Sequence, residues 1–435
     1  MNARALKGLL LLGVLLAALG GGCTFPTPAG TDSPSGSAVT PESSPPSPLP
    51  FPSPLPPTAS PTPEGPLTLT LWVTPPFDPQ ADTPAAALLR ARLAEYEQRR
   101  PNVRVRGRVK AESGAGGMLN ALATASAAAP AALPDLTLVS QDMLEAGVLK
   151  GLFYPFDTLL PLSESDWLDF AVALGKMQGG QFGVPYAGDV LAMAYRPAQI
   201  PDPPADWAAL QETPAPLLFP AGEETGAYPI LLYLAEGGAL QDEALRPLLE
   251  EKPLAAMLTR TAEMHQVGRF PAYLTEYADE QAAWEAYQTG TSAMAIVWAS
   301  AYLQALPPDT SLALPPVPGG EPLSLGRAWL WALTTSQPEK QTLAAELVTY
   351  LTEPAFLAQW SEAAGYLPAR LNALDAWSEA GPRPMLKPLL AAARPLPPGG
   401  IRTVLSPLLQ DAVEQVLQEK GTPEEIAAEV LARLP

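Results

Sequence analysis

The sequence predicts a two-domain α/β protein whose sheets are mainly parallel and flanked by helices, and three observations predict it. Over residues 67–139 the pattern alternates strand, helix, strand, helix, strand, which requires crossover connections and a sheet covered on both faces. The foldable part, residues 67–435, is longer than one ordinary core accommodates. Between two differently built halves stands the stretch 183–196. Here Gly179-Gly180 supplies a turn, Pro185 fixes one backbone dihedral, Gly188 frees the next, and the apolar run 190–195 has the length of a buried strand. The stretch reads as a hinge with a carboxylate, Asp189, at the junction.

Taken in order, the chain opens with Arg4 and Lys7 ahead of an apolar core at 9–19 that is too short to span a bilayer as a mature helix. That order reads as a signal peptide over 1–22. Gly20-Gly21-Gly22 directly precede Cys23, the single cysteine, as at a bacterial lipoprotein processing site. A lone thiol in an exported protein has no disulfide partner, so acylation at the cleavage point gives it a use. Residues 23–66 change to Pro, Ser, Thr and Ala, which bury too little apolar area to offset ordering and favour an extended stalk. The expectation is a protein held by a lipid on the outer face of a membrane.

The net charge of −19 and the pI of about 4.5 exclude nucleic acid and an anionic membrane surface as partners, because both would be repelled at long range. His265 is the only histidine and lies in a helical stretch with Met257, Leu258 and Met264, so a histidine metal site or a Ser-His triad lacks material and no cofactor is expected.

Residues 67–73 alternate as a first strand, and Asp82-Thr83-Pro84 starts a helix with Leu88, Leu89, Leu93 and Tyr96 on one face. Val103, Val105 and Val109 then alternate with Arg104, Arg106 and Arg108, which predicts a strand with a buried valine face and a solvated arginine face. A helix with Met118, Leu119 and Leu122 precedes the strand at 134–139. Ligands of such sheets lie beyond the carboxyl ends of the strands, which puts Phe77 and Asp142 in the two edge loops, 74–78 and 140–142. Past the hinge, a short strand at 216–219 leads to a loop carrying Glu223, Glu224 and Tyr228, then to helices at 229–235, 254–265 and 281–287. The run 291–300 contains Trp298, a strand at 326–333 carries Arg327, and a turn at 365–370 carries Tyr366 and Arg370, before closing helices around 405–417 and 423–434.

Four stretches, taken in this order, resemble the family 1 extracellular solute-binding proteins, the sugar-type receptors of ABC importers. They are Gly183-Val184-Pro185-Tyr186 with Asp189, the small-residue and Met run that ends in Trp298, the return strand at Gly326-Arg327, and Gly365-Tyr366-Leu367-Pro368-Ala369-Arg370. The resemblance covers nearly all of 67–435, with two departures: Ile296-Val297 stand where Gly-Pro often precedes the Trp, and Arg327 stands where the family usually has a glycine. It implies a periplasmic-binding-protein-like fold of type II, with lobe 1 at 67–187 plus 314–352 and lobe 2 at 188–313 plus 353–435. It also implies capture without chemistry by a monomer that delivers a solute, most often a carbohydrate, to permease subunits.

On this reading Trp298, Tyr228 and Tyr366 stack on the solute. Asp189, Glu223, Glu224 and Arg327 hydrogen-bond it, and Phe77, Asp142 and Arg370 lie in the turns that face the cleft. An arginine at 327 would cover the cleft or fork onto a hydroxyl pair or a carboxylate, the last of which would favour an acidic ligand over a neutral sugar. Two alternatives stay open, a receptor coupled to a sensor without transport, and a secreted hydrolase using Asp189 and Glu223 as paired carboxylates.

Overall fold

A computed structural model describes residues 66–162, 166–223, 226–319 and 321–434. The signal peptide, Cys23, the stalk and Glu224 lie outside the described residues. The alternation expected at the start is observed: β1 (Leu67–Val73), α1 (Pro84–Arg99), β2 (Val103–Val109), α2 (Met118–Ala128), β3 (Leu136–Ser140) and α3 (Gln141–Leu149). Thr83 caps α1 by accepting the Ala86 N–H at 3.2 Å, and Pro84 occupies the first turn, where its missing N–H costs nothing. β1 pairs in parallel with both β2 and β3.

The arginine and valine alternation of β2 meets a different fate. β2 is the edge of the sheet, Val103 is buried, and Val109 is 41% exposed, so the strand sinks its first residue and leaves the rest of both faces partly wet.

Next come α4 (Asp169–Leu174), the hairpin β4 (Lys176–Met177) and β5 (Gly180–Gln181), and the long β6 (Gly183–Tyr195). α5 (Trp207–Glu212), β7 (Leu217–Leu218), α6 (Ala227–Ala235), α7 (Glu251–Gln266), α8 (Glu280–Gln288), β8 (Met294–Trp298), α9 (Ala299–Ala305) and β9 (Ser311–Ala313) follow. The chain returns through β10 (Ser324–Leu333), α10 (Pro338–Leu351), α11 (Pro354–Ala364), β11 (Leu367–Pro368), α12 (Leu371–Asp375) and α13 (Arg383–Ala392). It ends with β12 (Ala393–Pro395), α14 (Gly399–Leu417) and α15 (Pro423–Ala432).

β6 organises the fold. Its first eight residues pair antiparallel with β10, and from Leu191 onward it pairs with β8 and β9, so one strand joins two sets of partners. At about 3.3 Å per residue it is long enough to cross from one half to the other. All its residues but Tyr195 are buried, which is why its sequence is apolar without alternation. The sheet order β2-β1-β3-β10-β6-β8-β7 therefore runs through both lobes.

One expectation about this region changes. Gly188 does not adopt a left-handed dihedral; it is glycine because a Cβ there would come within 3.1 Å of Leu168 Cδ1 and 3.4 Å of Phe170 Cζ. α11 packs against α1, and Arg92 of α1 donates to the Tyr350 carbonyl at 2.7 Å and pairs with Glu353. α14 and α15 pack on α6 and α7. Among the described residues no helix is long and apolar enough to cross a membrane.

Candidate functional site

The register of β6 against β10 sets Asp189 directly opposite Arg327. Cross-strand partners share a sheet face, so a fully buried carboxylate meets a half-buried guanidinium there. Asp189 Oδ2 accepts from Arg327 Nε at 3.2 Å and Nη2 at 3.0 Å, and from the Ser300 hydroxyl at 2.6 Å. Its Oδ1 accepts the Ser300 backbone N–H at 2.9 Å, one of the unsatisfied donors at the start of α9. Asp189 is thus a knot that ties β6, β10 and α9 together, with no exposed surface of its own.

Trp298 ends β8, and its indole N–H donates to the Glu280 carboxylate. The Arg327 guanidinium carbon lies 3.9 Å from the centre of the Trp298 ring, covering one of its faces. Glu280 stands in the first turn of α8, just after the capping Asp279, and its second oxygen is 3.9 Å from Arg327 Nη1. Burial pushes the Glu280 carboxyl above its ordinary range, and Arg327 and the indole N–H only partly oppose this. Arg327 itself is disfavoured as a cation by burial, but Asp189 and then Glu280 outweigh this and raise it.

Tyr366 follows Gly365, whose φ of 68° closes α11 in the left-handed region. A Cβ at Gly365 would fall 2.4 Å from Gln304 Cγ, so the glycine lets the turn approach α9. The Tyr366 ring meets Trp329 edge-on at 4.7 Å and stacks on Phe77 at 5.6 Å. Burial, with Asp189 second, pushes its phenol up to about 12. These groups wall a cavity of about 490 Å³, bounded by Glu280, Trp284, Trp298, Gln304, Arg327 and Tyr366. The volume lies within the roughly 300–1,000 Å³ of small-molecule sites. A larger hollow of about 680 Å³, beside α3 and the 241–247 loop, is chiefly apolar.

The remaining sequence candidates sit elsewhere. Tyr228 is 2% exposed, donates its hydroxyl to the Pro316 carbonyl at 3.1 Å and packs edge-on against Phe219; α6 is buried on nearly every side, so its aromatic residue is core. Phe77 is buried too, holding Tyr366 and Trp329 from behind. Asp142 pairs with Arg402 on the exposed first turn of α3, and Arg370 forks onto Asp166 at 2.8 and 2.9 Å. Glu223 does not line the cavity. Arg327 is present in the cavity but is engaged by Asp189, which removes the fork that an acidic ligand would need. Glu280, Ser300, Trp284 and Gln304 are additional site residues. Glu280 carried a signal that looked like ordinary capping: an acid directly after Asp279 at the start of a helix.

The raised Glu280 carboxyl has a measurable consequence. Folding strengthens its hold on the proton, so its contribution to stability is complete below the ordinary value of 4.5 and is lost as pH rises through the folded value. Glu280→Gln keeps an acceptor for Trp298 and should melt above the parent at about pH 8, the gap closing by about pH 4. A gap that is the same at both pH values would show that the carboxylate bears no such penalty.

Residues 91–384 match the model of a family described as bacterial extracellular solute-binding protein. A search of curated proteins by sequence finds no match. Among solved structures, the fold is similar to the cyclic alpha-maltosyl-1,6-maltose binding protein from Arthrobacter globiformis, with a TM-score of 0.70 and 19% identity over 85% of this chain and 99% of that one. The sugar-binding protein MalE of Xanthomonas citri superposes with a TM-score of 0.70 and 17% identity over 84% of this chain and 96% of its own. The GacH receptor of Streptomyces glaucescens, solved unliganded and with acarbose, gives 0.62 and 19% over 85% and 97%.

Proposed function

The chain belongs to the bacterial extracellular solute-binding proteins, and from that premise we propose that it captures a small carbohydrate between two lobes and delivers it to the permease of an ABC importer. The observation that carries the reading is the cavity beside the β6 crossing, where Trp298, Trp284 and Tyr366 stand with a carboxylate, a guanidinium and an amide. Aromatic rings suit the apolar face of a pyranose, and the charged and amide groups suit its hydroxyls. The cavity draws on β10 and the Gly365–Tyr366 turn and on α8, β8 and α9, elements that on this proposal close on a solute from two sides. A ligand touching both would stabilise the closed arrangement about β6, and a permease would read that arrangement. Asp189 and Glu223 make a poor hydrolytic pair, since Asp189 is sealed by Ser300 and Arg327 while Glu223 stands outside the cavity. Capture is the function that this geometry supports best.

The test is a thermal-shift screen of the purified protein over mono- and oligosaccharides. A true ligand at about a hundred times its dissociation constant should add roughly 2.7 kcal/mol of stability. A screen in which polyols, amino acids and peptides shift the melt and saccharides do not would overturn the carbohydrate assignment.

The protein acts, on this proposal, outside the cytoplasm and tethered through acylated Cys23, with residues 24–66 as spacer. Cys23→Ser should move it from the membrane to the soluble fraction. Identical partition of variant and parent into the detergent phase would rule the anchor out.

A further inference from the structure

We propose that the cavity selects a cationic, amino-bearing sugar over neutral and acidic sugars, an inference that rests on the carbohydrate-receptor reading. It follows from the charges and where each is directed. Among the described residues lining the cavity, Arg327 is the one cation and Glu280 the one anion. Arg327 is not available as a counter-charge for both acids. Its Nε and Nη2 both point at Asp189 Oδ2, and only Nη1 faces Glu280, at 3.9 Å, beyond hydrogen-bond reach. Asp189, Glu280 and Arg327 together therefore carry one net negative charge, and Asp279 adds another beside Glu280.

Within Glu280 the two oxygens differ. Oε1 accepts the Trp298 indole N–H, which fixes the carboxylate, while Oε2 has Arg327 Nη1 as a loose neighbour at 3.9 Å and the residue lines the cavity. A carboxylate held by one oxygen and under-compensated at the other is a receptor for an ammonium group, which supplies both a charge and donors. An acidic sugar would meet this charge with only Nη1 of Arg327 left to receive it, one nitrogen and not a fork.

The experiment is calorimetric titration of the purified full chain with matched sugars: glucosamine and its β-1,4 disaccharide, glucose and cellobiose, N-acetylglucosamine, and glucuronate. The amino members should bind about tenfold tighter than their neutral counterparts, and glucuronate weakest. Glu280→Gln should erase that preference, so that amino and neutral sugars bind alike, its melting curve serving as the check on folding. The ranking in the parent protein is a test in itself and does not depend on the variant. Equal binding of amino and neutral sugars, or a preference that survives Glu280→Gln, would overturn the charge selection while leaving a carbohydrate receptor in place. Absence of binding by every saccharide in the series, whatever its charge, would remove both readings.

Discussion

Asp189→Ala should lower the unfolding free energy by about 2–4 kcal/mol, because it leaves a half-buried guanidinium without its main partner and strands two buried Ser300 donors at once. Asp189 has no exposed surface and accepts from Ser300 N, Ser300 Oγ and two nitrogens of Arg327. Removing one partner of such a pair costs more than the pair contributes, since the remaining charge keeps its desolvation penalty. Asp189→Asn retains an acceptor for the Ser300 N–H and should fall between parent and alanine variant. The double variant Asp189→Ala, Arg327→Met should recover a substantial part of the loss, as it removes the stranded cation. Denaturant unfolding of the four proteins checks this. If the alanine variant unfolds at the parent's midpoint, the Asp189 cluster is not what joins β6, β10 and α9.

Phe77→Ala should cost about 3–5 kcal/mol, the ordinary loss for deleting a buried phenyl ring. The sequence places Phe77 in a loop at the ligand edge, where its loss would weaken binding and spare the fold. The structure places it 2% exposed at the centre of an aromatic group, 5.9 Å from Trp360, 5.6 Å from Tyr366 and 5.6 Å from Trp329. Its truncation would open a void that none of these rigid rings can fill. Phe77→Leu keeps most of the volume and should recover more than half of the loss. Ligand affinity should also fall in the alanine variant, by way of a loosened Tyr366. An alanine variant as stable as the parent but unable to bind would restore Phe77 to the cleft surface.

The site was legible in the sequence only in part, and the pattern of success has a physical basis. Asp189, Trp298, Arg327 and Tyr366 stand at strand ends and in a glycine-marked turn, positions whose local chemistry is visible along the chain, and the structure gathers all four within one cluster. Tyr228 and Phe77 stand in equally suggestive loops and at helix starts, yet both are core. An aromatic residue in a loop buries its area wherever a neighbouring element offers cover, and that cover comes from residues far away in sequence, Phe270 for Tyr228 and Trp360 for Phe77. Glu280 was masked by its position, because a first-turn acid after Asp is common in helices that bind nothing.

By itself the sequence determined the alternation of strands and helices, the long apolar strand that joins the halves, and the supply of aromatic and acidic residues around it. These follow from hydrophobic period and backbone chemistry, which act over a few residues. The tertiary structure alone decided which charges cancel. Composition counts 45 acids and 26 bases without pairing any of them. Pairing depends on the register of β10 against β6, which sets Arg327 opposite Asp189, and on the arrival of α8, which brings Glu280 to the other side of the same guanidinium. Coulomb energy falls with separation in space and not along the chain, so the sign of the site, acidic where a lone arginine had suggested the reverse, could be fixed only by folding.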